Sequence, residues 1–231
     1  MDAATSQLIV EPIEPNFSLK DRIYASLREA ITSMNIYDEE AQLRLDEREL
    51  SEKLAISRTP IREALARLEQ EGLVRIVPRK GVYIVRKTKA EILEMITVWA
   101  ALESMAARLI IEQASDEEIA SLRKLFATFQ DGQLQAKIDE YSDTNVEFHQ
   151  TLLKLSRCQL LQDMADQLFI HLRSIRARTI AEGERAKRSI IDHLHIIEAL
   201  EARDTELAER LVREHTLNLG KHIEENVDYL D

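Results

Sequence analysis

The stretch "DERELSEKLAISRTPIREALARLEQEGLVRIVPRKGVYIVRK", Asp46 to Lys87, decides the fold of the first third of the chain. Leu50 and Leu54 stand four apart, which marks a short helix in "DERELSEKLA". "ISRTPIREALARLEQEG" predicts a second helix. Ser57 stands at its N-cap, Pro60 in its first turn and Gly72 at its C′ position. The period then changes. "LVRIVPRKGVYIVRK" is rich in Val and Ile around a central "PRKG", which predicts a two-stranded hairpin, Leu73–Val77 and Val82–Val85, with a basic tip.

Working outward, residues 1–17 contain Pro12 and Pro15 and no periodicity, and read as a mobile arm. "LKDRIYASLREAITSM" places Leu19, Ile23, Leu27, Ala30 and Ile31 at helical spacing, and the polar "NIYDEEAQ" after it reads as a loop. Helical pattern resumes near Lys89 and predicts six or seven further helices, with breaks near Ala114–Ser115, Gly132 and Gly183. The expected fold is mainly α: a winged helix-turn-helix over 18–86, then an all-α helical bundle over 87–231.

Composition sets outer bounds. Hydrophobic residues make up 45% of the 231 and charged residues 32%, an ordinary globular balance, and Gly (5) and Pro (4) are scarce. No apolar run approaches the ~18 residues a membrane span needs. The opening "MDAATSQLIVEP" has neither a basic start nor a long apolar core, so no secretory leader is expected. A single cysteine, Cys158, excludes an intrachain disulfide framework and fits a reducing, cytoplasmic setting.

The net charge of −11 argues at first against nucleic acid. Its distribution reverses that. Residues 18–88 hold 14 basic against 12 acidic side chains, residues 89–231 hold 17 against 27, and Gly72–Lys87 has five bases and no acid. A local basic patch binds phosphates even on an acidic chain. A helix in the major groove offers its first turn to base edges, and Arg58, Thr59 and Arg62 occupy that turn or the next. Arg48 reaches phosphate or base from the preceding helix. Arg79, Lys80 and Gly81 form a hairpin tip suited to the adjacent minor groove, where glycine lets backbone approach closely.

In the last two-thirds, three predicted helices each direct one histidine along an apolar face. His149 follows Asn145 and precedes Leu152 and Leu153; His193 lies between Ile190 and Ile196; His215 lies between Leu211 and Leu219. A buried polar group costs about 1–3 kcal/mol unless paired, so three such histidines call for a shared partner. A divalent metal in the bundle is the simplest: imidazole suits Zn, Ni, Cu or Fe, with Zn or Ni foremost, and Asn145 would supply a carbonyl oxygen. Direct effector binding, or hydrogen bonding among the histidines, would satisfy them without a metal. His171, His195 and His222 lie off these stripes and read as surface or supporting residues.

The segment "ERELSEKLAISRTPIREALARLEQEGLV" resembles the DNA-binding domain of the GntR family of bacterial transcription regulators at nearly every position of the family signature. The resemblance implies that Arg48, Arg58 and Arg62 are DNA-contacting arginines and that Gly81 is the wing-tip glycine. The loop "MNIYDEE" lacks the Gly–Pro–Gly-like turn common before this motif. "ALESMAARLI", "NVEFHQTLLKLS" and "HLHIIEALEARDTELAERLVREH" resemble the FCD domain, the helical effector-binding domain of the FadR branch. Many FCD domains hold a metal with one Asp and three His. By motif the histidines are His149, His193 and His215, while Asn145 stands at the Asp position. Trp99 stands where many members have an arginine, and Cys158 where an Asn is common. Arg173 and Arg176 are candidates to restore the lost charge, and Trp99 and Arg173 are the expected effector-pocket residues.

Together these readings imply a ligand-responsive transcriptional repressor rather than an enzyme. It is expected to bind palindromic double-stranded operator DNA as a homodimer, with no membrane partner, and to respond to a small organic acid. A hydrolase or lyase using the three histidines as a metal site is the rival from another class. It has no evident general base and leaves a DNA-reading domain without a task.

Overall fold

The computed structural model describes residues 19–38, 40–129, 138–180 and 182–230. The expected arm at 1–17 and the break near Gly132 lie outside them. The chain divides into two compact units, 30–43 with 84–231 forming the larger and the preceding and intervening segments the smaller.

The smaller unit takes its helices from the signals in the sequence. α1 (Leu19–Ser33) begins here and buries Ile23 and Leu27, four apart. α2 (Glu47–Leu54) starts at Asp46, whose carboxylate accepts from the Arg48 and Glu49 amides at 2.8 and 3.2 Å. It stops at Ala55, whose φ of 54° turns the chain within three residues into α3. α3 (Arg58–Gln70) buries Ile61, Ala64, Leu65 and Leu68 on one stripe. Ser57 holds the N-cap position with extended backbone, but its hydroxyl makes no capping bond. Gly72, at φ 73°, ends the helix: its amide bonds Glu69 O, and the Leu73 amide bonds Leu68 O, the paired closure that favours glycine. The Tyr24 hydroxyl donates to the Glu71 carboxylate at 2.6 Å, and the Arg67 guanidinium lies 3.7 Å over the Tyr24 ring, tying α1 to α3.

The hairpin forms as β2 (Val74–Val77) and β3 (Gly81–Ile84). The sheet also has a strand the sequence reading lacked. β1 (Arg44–Leu45) pairs antiparallel with β3, Arg44 opposite Tyr83 and Leu45 opposite Val82, giving the order β1-β3-β2. Two residues are too few to show a period of two.

The larger unit is helical, with α4 (Lys89–Gln113), α5 (Asp116–Leu125), α6 (Ile138–Leu155), α7 (Gln159–Thr179), α8 (Arg185–Glu201) and α9 (Thr205–Asn226) among the described residues. Thr88 and Glu91 form a reciprocal capping box at the start of α4, and Ser115 and Glu118 do the same for α5. α4 packs most extensively against α9. Phe126, Tyr141, Phe148, Leu152, Ile196 and Val212 belong to one core around which the helices close.

The expected partition at 86/87 differs from the observed one, because the loop after α1 belongs with the helices. Ile36 and Tyr37 are buried. Arg86 Nε donates to Ile36 O at 2.6 Å, and its Nη2 donates to Asp38 O. Arg178 Nη1 donates to Tyr37 O at 3.0 Å, and the Tyr37 hydroxyl meets His171 Nδ1 at 3.4 Å. His171 is therefore a buried residue and not a surface one.

Candidate functional site

On the smaller unit, Arg58 and Thr59 open α3 and are exposed, and Arg62 follows one turn later. Arg62 Nε bonds Glu47 at 2.6 Å and Arg48 Nε bonds Glu52 at 2.9 Å, with both arginine side chains largely exposed. Such surface pairs contribute about 0.2–1 kcal/mol, so either guanidinium can exchange its carboxylate for a phosphate at low cost. Arg79, at φ 65°, and Lys80 are exposed between the strands, and Gly81 follows at φ 121°. Arg44, Asp46, Arg48, Arg58 and Gly81 line a surface hollow of about 420 Å³. Arg44 is the residue that sequence reasoning missed. A Cβ on Gly81 would sit 3.3 Å from Arg44 Nε, so the bare glycine makes room for this arginine.

In the larger unit, α6, α8 and α9 bring His149, His193 and His215 together, each offering a ring nitrogen within 4.8 Å of the others. His149 and His193 are fully buried. His193 Nε2 lies 3.0 Å from His215 Nε2; His215 Nδ1 lies 3.0 Å from Asp192 Oδ2; His193 Nδ1 lies 3.4 Å from the Tyr141 hydroxyl. One proton assignment satisfies all of these. Tyr141 donates to His193 Nδ1, His193 Nε2–H donates to His215 Nε2, and His215 Nδ1–H donates to Asp192.

His149 faces two residues outside the expected set. Its Nδ1 is 2.5 Å from Glu103 Oε1 on α4, and its Nε2 is 2.6 Å from Arg176 Nη1 on α7. Thr216 donates to the second Glu103 oxygen at 2.5 Å. Glu103 and Arg176 are both buried. They form an ion pair relayed through a neutral imidazole: carboxylate, Nδ1–H, Nε2, guanidinium. Burial pushes the His149 and His193 pKa well below the usual histidine range, and the Arg176 charge adds to this. Burial raises the Glu103 pKa, and Arg176 opposes that rise.

These groups, as arranged, do not fit a metal. His149 Nε2 is already capped by the Arg176 guanidinium and Nδ1 by the Glu103 carboxylate. Asn145 is buried and neutral, and its Oδ1 accepts from the Ser189 hydroxyl at 3.4 Å.

Beside the cluster lies a cavity of about 590 Å³, lined by Asn145, Arg176, Arg185, Arg188, Ser189, Asp192, His215, Lys221 and His222 among others. Glu182, also in its wall, bonds His222 Nε2 at 2.5 Å, so His222 belongs to this cavity and not to an outer surface. Arg176 Nε and Nη2 and Arg185 Nη1 are buried with no hydrogen-bond partner among the described residues. Burial lowers the Arg185 pKa to about 10. The expected pocket residues lie elsewhere. Trp99 is fully buried and stacks on Phe169 at 5.6 Å, and neither it nor half-buried Arg173 lines the cavity. Of the two arginines named as candidates to restore the lost charge, Arg176 is the one that lines the cavity.

Comparison with known proteins matches residues 94–218 to the FCD domain and residues 19–84 to the bacterial regulatory proteins of the gntR family. The chain belongs to the GntR family. Within that family it carries an FCD domain, the arrangement of the FadR-like branch, and it is a transcriptional regulator that works by binding DNA. It is 24% identical over 221 residues to the HTH-type transcriptional repressor RspR of Escherichia coli (strain K12), covering 94% of this chain and 96% of that one. It is 31% identical over 187 residues to the Nta operon transcriptional regulator of Aminobacter aminovorans, covering 81% and 86%. The solved structure of E. coli McbR/YncC shares the fold, with a TM-score of 0.73 and 23% identity over 92% of this chain and all of that one. The matched FCD region includes His149, His193 and His215. Among the described residues of this regulator, no helix is long and apolar enough to cross a membrane.

Proposed function

We propose that the protein is a homodimeric repressor that a small organic acid releases from its operator. Arg58, Thr59 and Arg62 read bases from the first turns of α3, Arg44 and Arg48 hold phosphate, and Arg79, Lys80 and Gly81 enter the minor groove. The observation that supports this most is the set of exposed arginines Arg44, Arg48 and Arg58 around one hollow, beside a glycine at φ 121° where a side chain would crowd Arg44. Repression is favoured by similarity to a protein named as a repressor. A twofold operator calls for two copies of the chain. Val98 and Met105 on α4, exposed seven residues apart with Ala101 between them, offer an apolar stripe for that pairing. The effector occupies the cavity between α6, α8 and α9, where buried arginine donors without partners call for an anion.

A divalent ion on His149, His193 and His215 is a second reading of the same cluster. The three ring nitrogens gathered within 4.8 Å of one another favour it. It requires Arg176 to leave His149.

An effector that binds the DNA-bound and free forms unequally shifts operator affinity by that difference. The test titrates small carboxylates into a preformed complex of the protein with DNA from upstream of its own gene, followed by fluorescence anisotropy. Release by at least one acid, with an ultracentrifuge mass of two chains, supports the proposal. A monomer on DNA, or a complex that no acid weakens, contradicts it.

A further inference from the structure

We propose that Arg176 is the resident cation of this cavity, capping a His149 ring nitrogen that a divalent metal shared with His193 and His215 would need, and holding a small carboxylate directly through its Nε and Nη2 edge, with Arg185 as a second clamp. The proposal rests on the cavity being the effector site, and it names the group that recognises the effector.

Three observations converge on it. First, the histidine cluster is complete without an added ion. Every ring nitrogen of the three histidines has a partner, and one assignment of protons satisfies them all. The last place, His149 Nε2, is filled by Arg176 Nη1 at 2.6 Å. A metal at His149 would lie against a guanidinium in a buried site, where like charges repel strongly. Second, the opposite edge of Arg176 is unused. Nε–H and Nη2–H point the same way along one side of the guanidinium and match the two oxygens of a carboxylate. Both are buried without a partner, and Arg176 is 4% exposed and lines the cavity. A buried donor without an acceptor costs about 1–3 kcal/mol, which a bound anion removes. Third, the charge is set for a cation there and not for a second one. Glu103 is the buried counter-charge, relayed through His149, and Asn145 adds no negative charge to attract a metal. Arg185 Nη1 supplies one more buried, unpartnered donor on the same cavity.

The experiment uses full-length protein purified without a nickel column. Zinc is titrated calorimetrically into wild type and into Arg176→Met, with elemental analysis of both. Wild type is expected to hold and take up less than about 0.2 zinc per chain, whereas Arg176→Met exposes His149 Nε2 and binds close to one, lost again on adding His149→Ala. Near-stoichiometric zinc in wild type overturns the proposal whatever the variant does, so a misfolded variant does not shield it. Equal zinc uptake by wild type and folded Arg176→Met also overturns it. The second arm measures melting temperature with acetate, malonate, malate and citrate, each with and without EDTA. At least one acid at a hundredfold excess over its Kd is expected to raise the wild-type melting point by roughly 5 °C or more, and this rise is expected to vanish in Arg176→Met and shrink in Arg185→Met. A rise that EDTA abolishes shows that a metal does the binding, which overturns this inference and leaves the effector site standing. No rise with any acid overturns the anion site and counts against the effector reading itself.

Discussion

Replacing Glu103 with leucine removes the carboxylate that His149 and Thr216 hold at 2.5 Å each. It leaves Arg176 buried at 4% exposure with no counter-charge one imidazole away. Breaking a buried pair by deleting one partner costs about 3–5 kcal/mol. A fully buried leucine recovers little of this, because the Thr216 hydroxyl and the His149 Nδ1–H also lose their acceptor. For a unit of this size the melting point is expected to fall by about 6–20 °C. The chain has one tryptophan, and Trp99 is buried one turn from Glu103 on the same helix, so its fluorescence reports the unfolding of the helical unit. Urea titrations of wild type, Glu103→Leu, Arg176→Leu and the double variant then form a cycle. If the two charges are relayed through His149, the double variant is more stable than the sum of the singles implies, with a coupling of at least about 2 kcal/mol. A Glu103→Leu loss below about 1 kcal/mol, or additivity within about 0.5 kcal/mol, would refute the relay.

Two further outcomes are expected. Burial holds the His171 pKa at about 4, below the usual histidine value near 6.5, with the Lys87 charge adding and Glu91 opposing. The unfolded chain therefore takes up this proton as pH falls below about 6.5, whereas the folded one waits until about 4. The contribution is full above pH 6.5 and is lost down to pH 4, about 2 kcal/mol of it between pH 7 and pH 5. Unfolding free energies from urea titrations at those two pH values are expected to converge by that amount in His171→Gln, and equal pH dependence in variant and wild type would count against the assignment. Gly81→Ala places a methyl 3.3 Å from Arg44 Nε at a φ of 121° that L-residues rarely adopt, at a local cost of about 1–3 kcal/mol. Faster hydrogen exchange across 74–84 and weaker DNA binding are expected, with the Trp99 transition unmoved; unchanged exchange in the hairpin would remove the strain argument.

What the sequence made legible was local. Leu50 and Leu54, the Gly72 stop and the "PRKG" turn each act within a few residues, and α2, α3 and the hairpin form where they indicate. The three histidines were also legible, because a polar residue on an apolar stripe stands out at helical period. β1 was not, since Arg44 and Leu45 become a strand only through pairing with β3. The allegiance of the loop after α1 depends on Arg86 and Arg178 reaching carbonyls 48 to 141 residues away, and no window of sequence holds both ends. Glu103 and Arg176 left a fainter signal. Glu103 shares the stripe of Ile96, Trp99, Ala107 and Ile110, and Arg176 sits between Leu172, Ile175 and Thr179. Two opposite charges on two apolar stripes suggest a buried pair, but nothing in their spacing tells that an imidazole stands between them.

The central claim, that the smaller unit reads operator DNA through α3, is tested most directly by anisotropy with a labelled duplex from upstream of the protein's own gene. Wild type is expected to form a complex that the same unlabelled duplex competes and random DNA does not. Arg58→Ala with Arg62→Ala is expected to weaken it by roughly tenfold to more than a hundredfold, because each base contact contributes about 1–3 kcal/mol. Binding by the double variant within twofold of wild type, or no sequence-selective complex with wild type, would contradict the account.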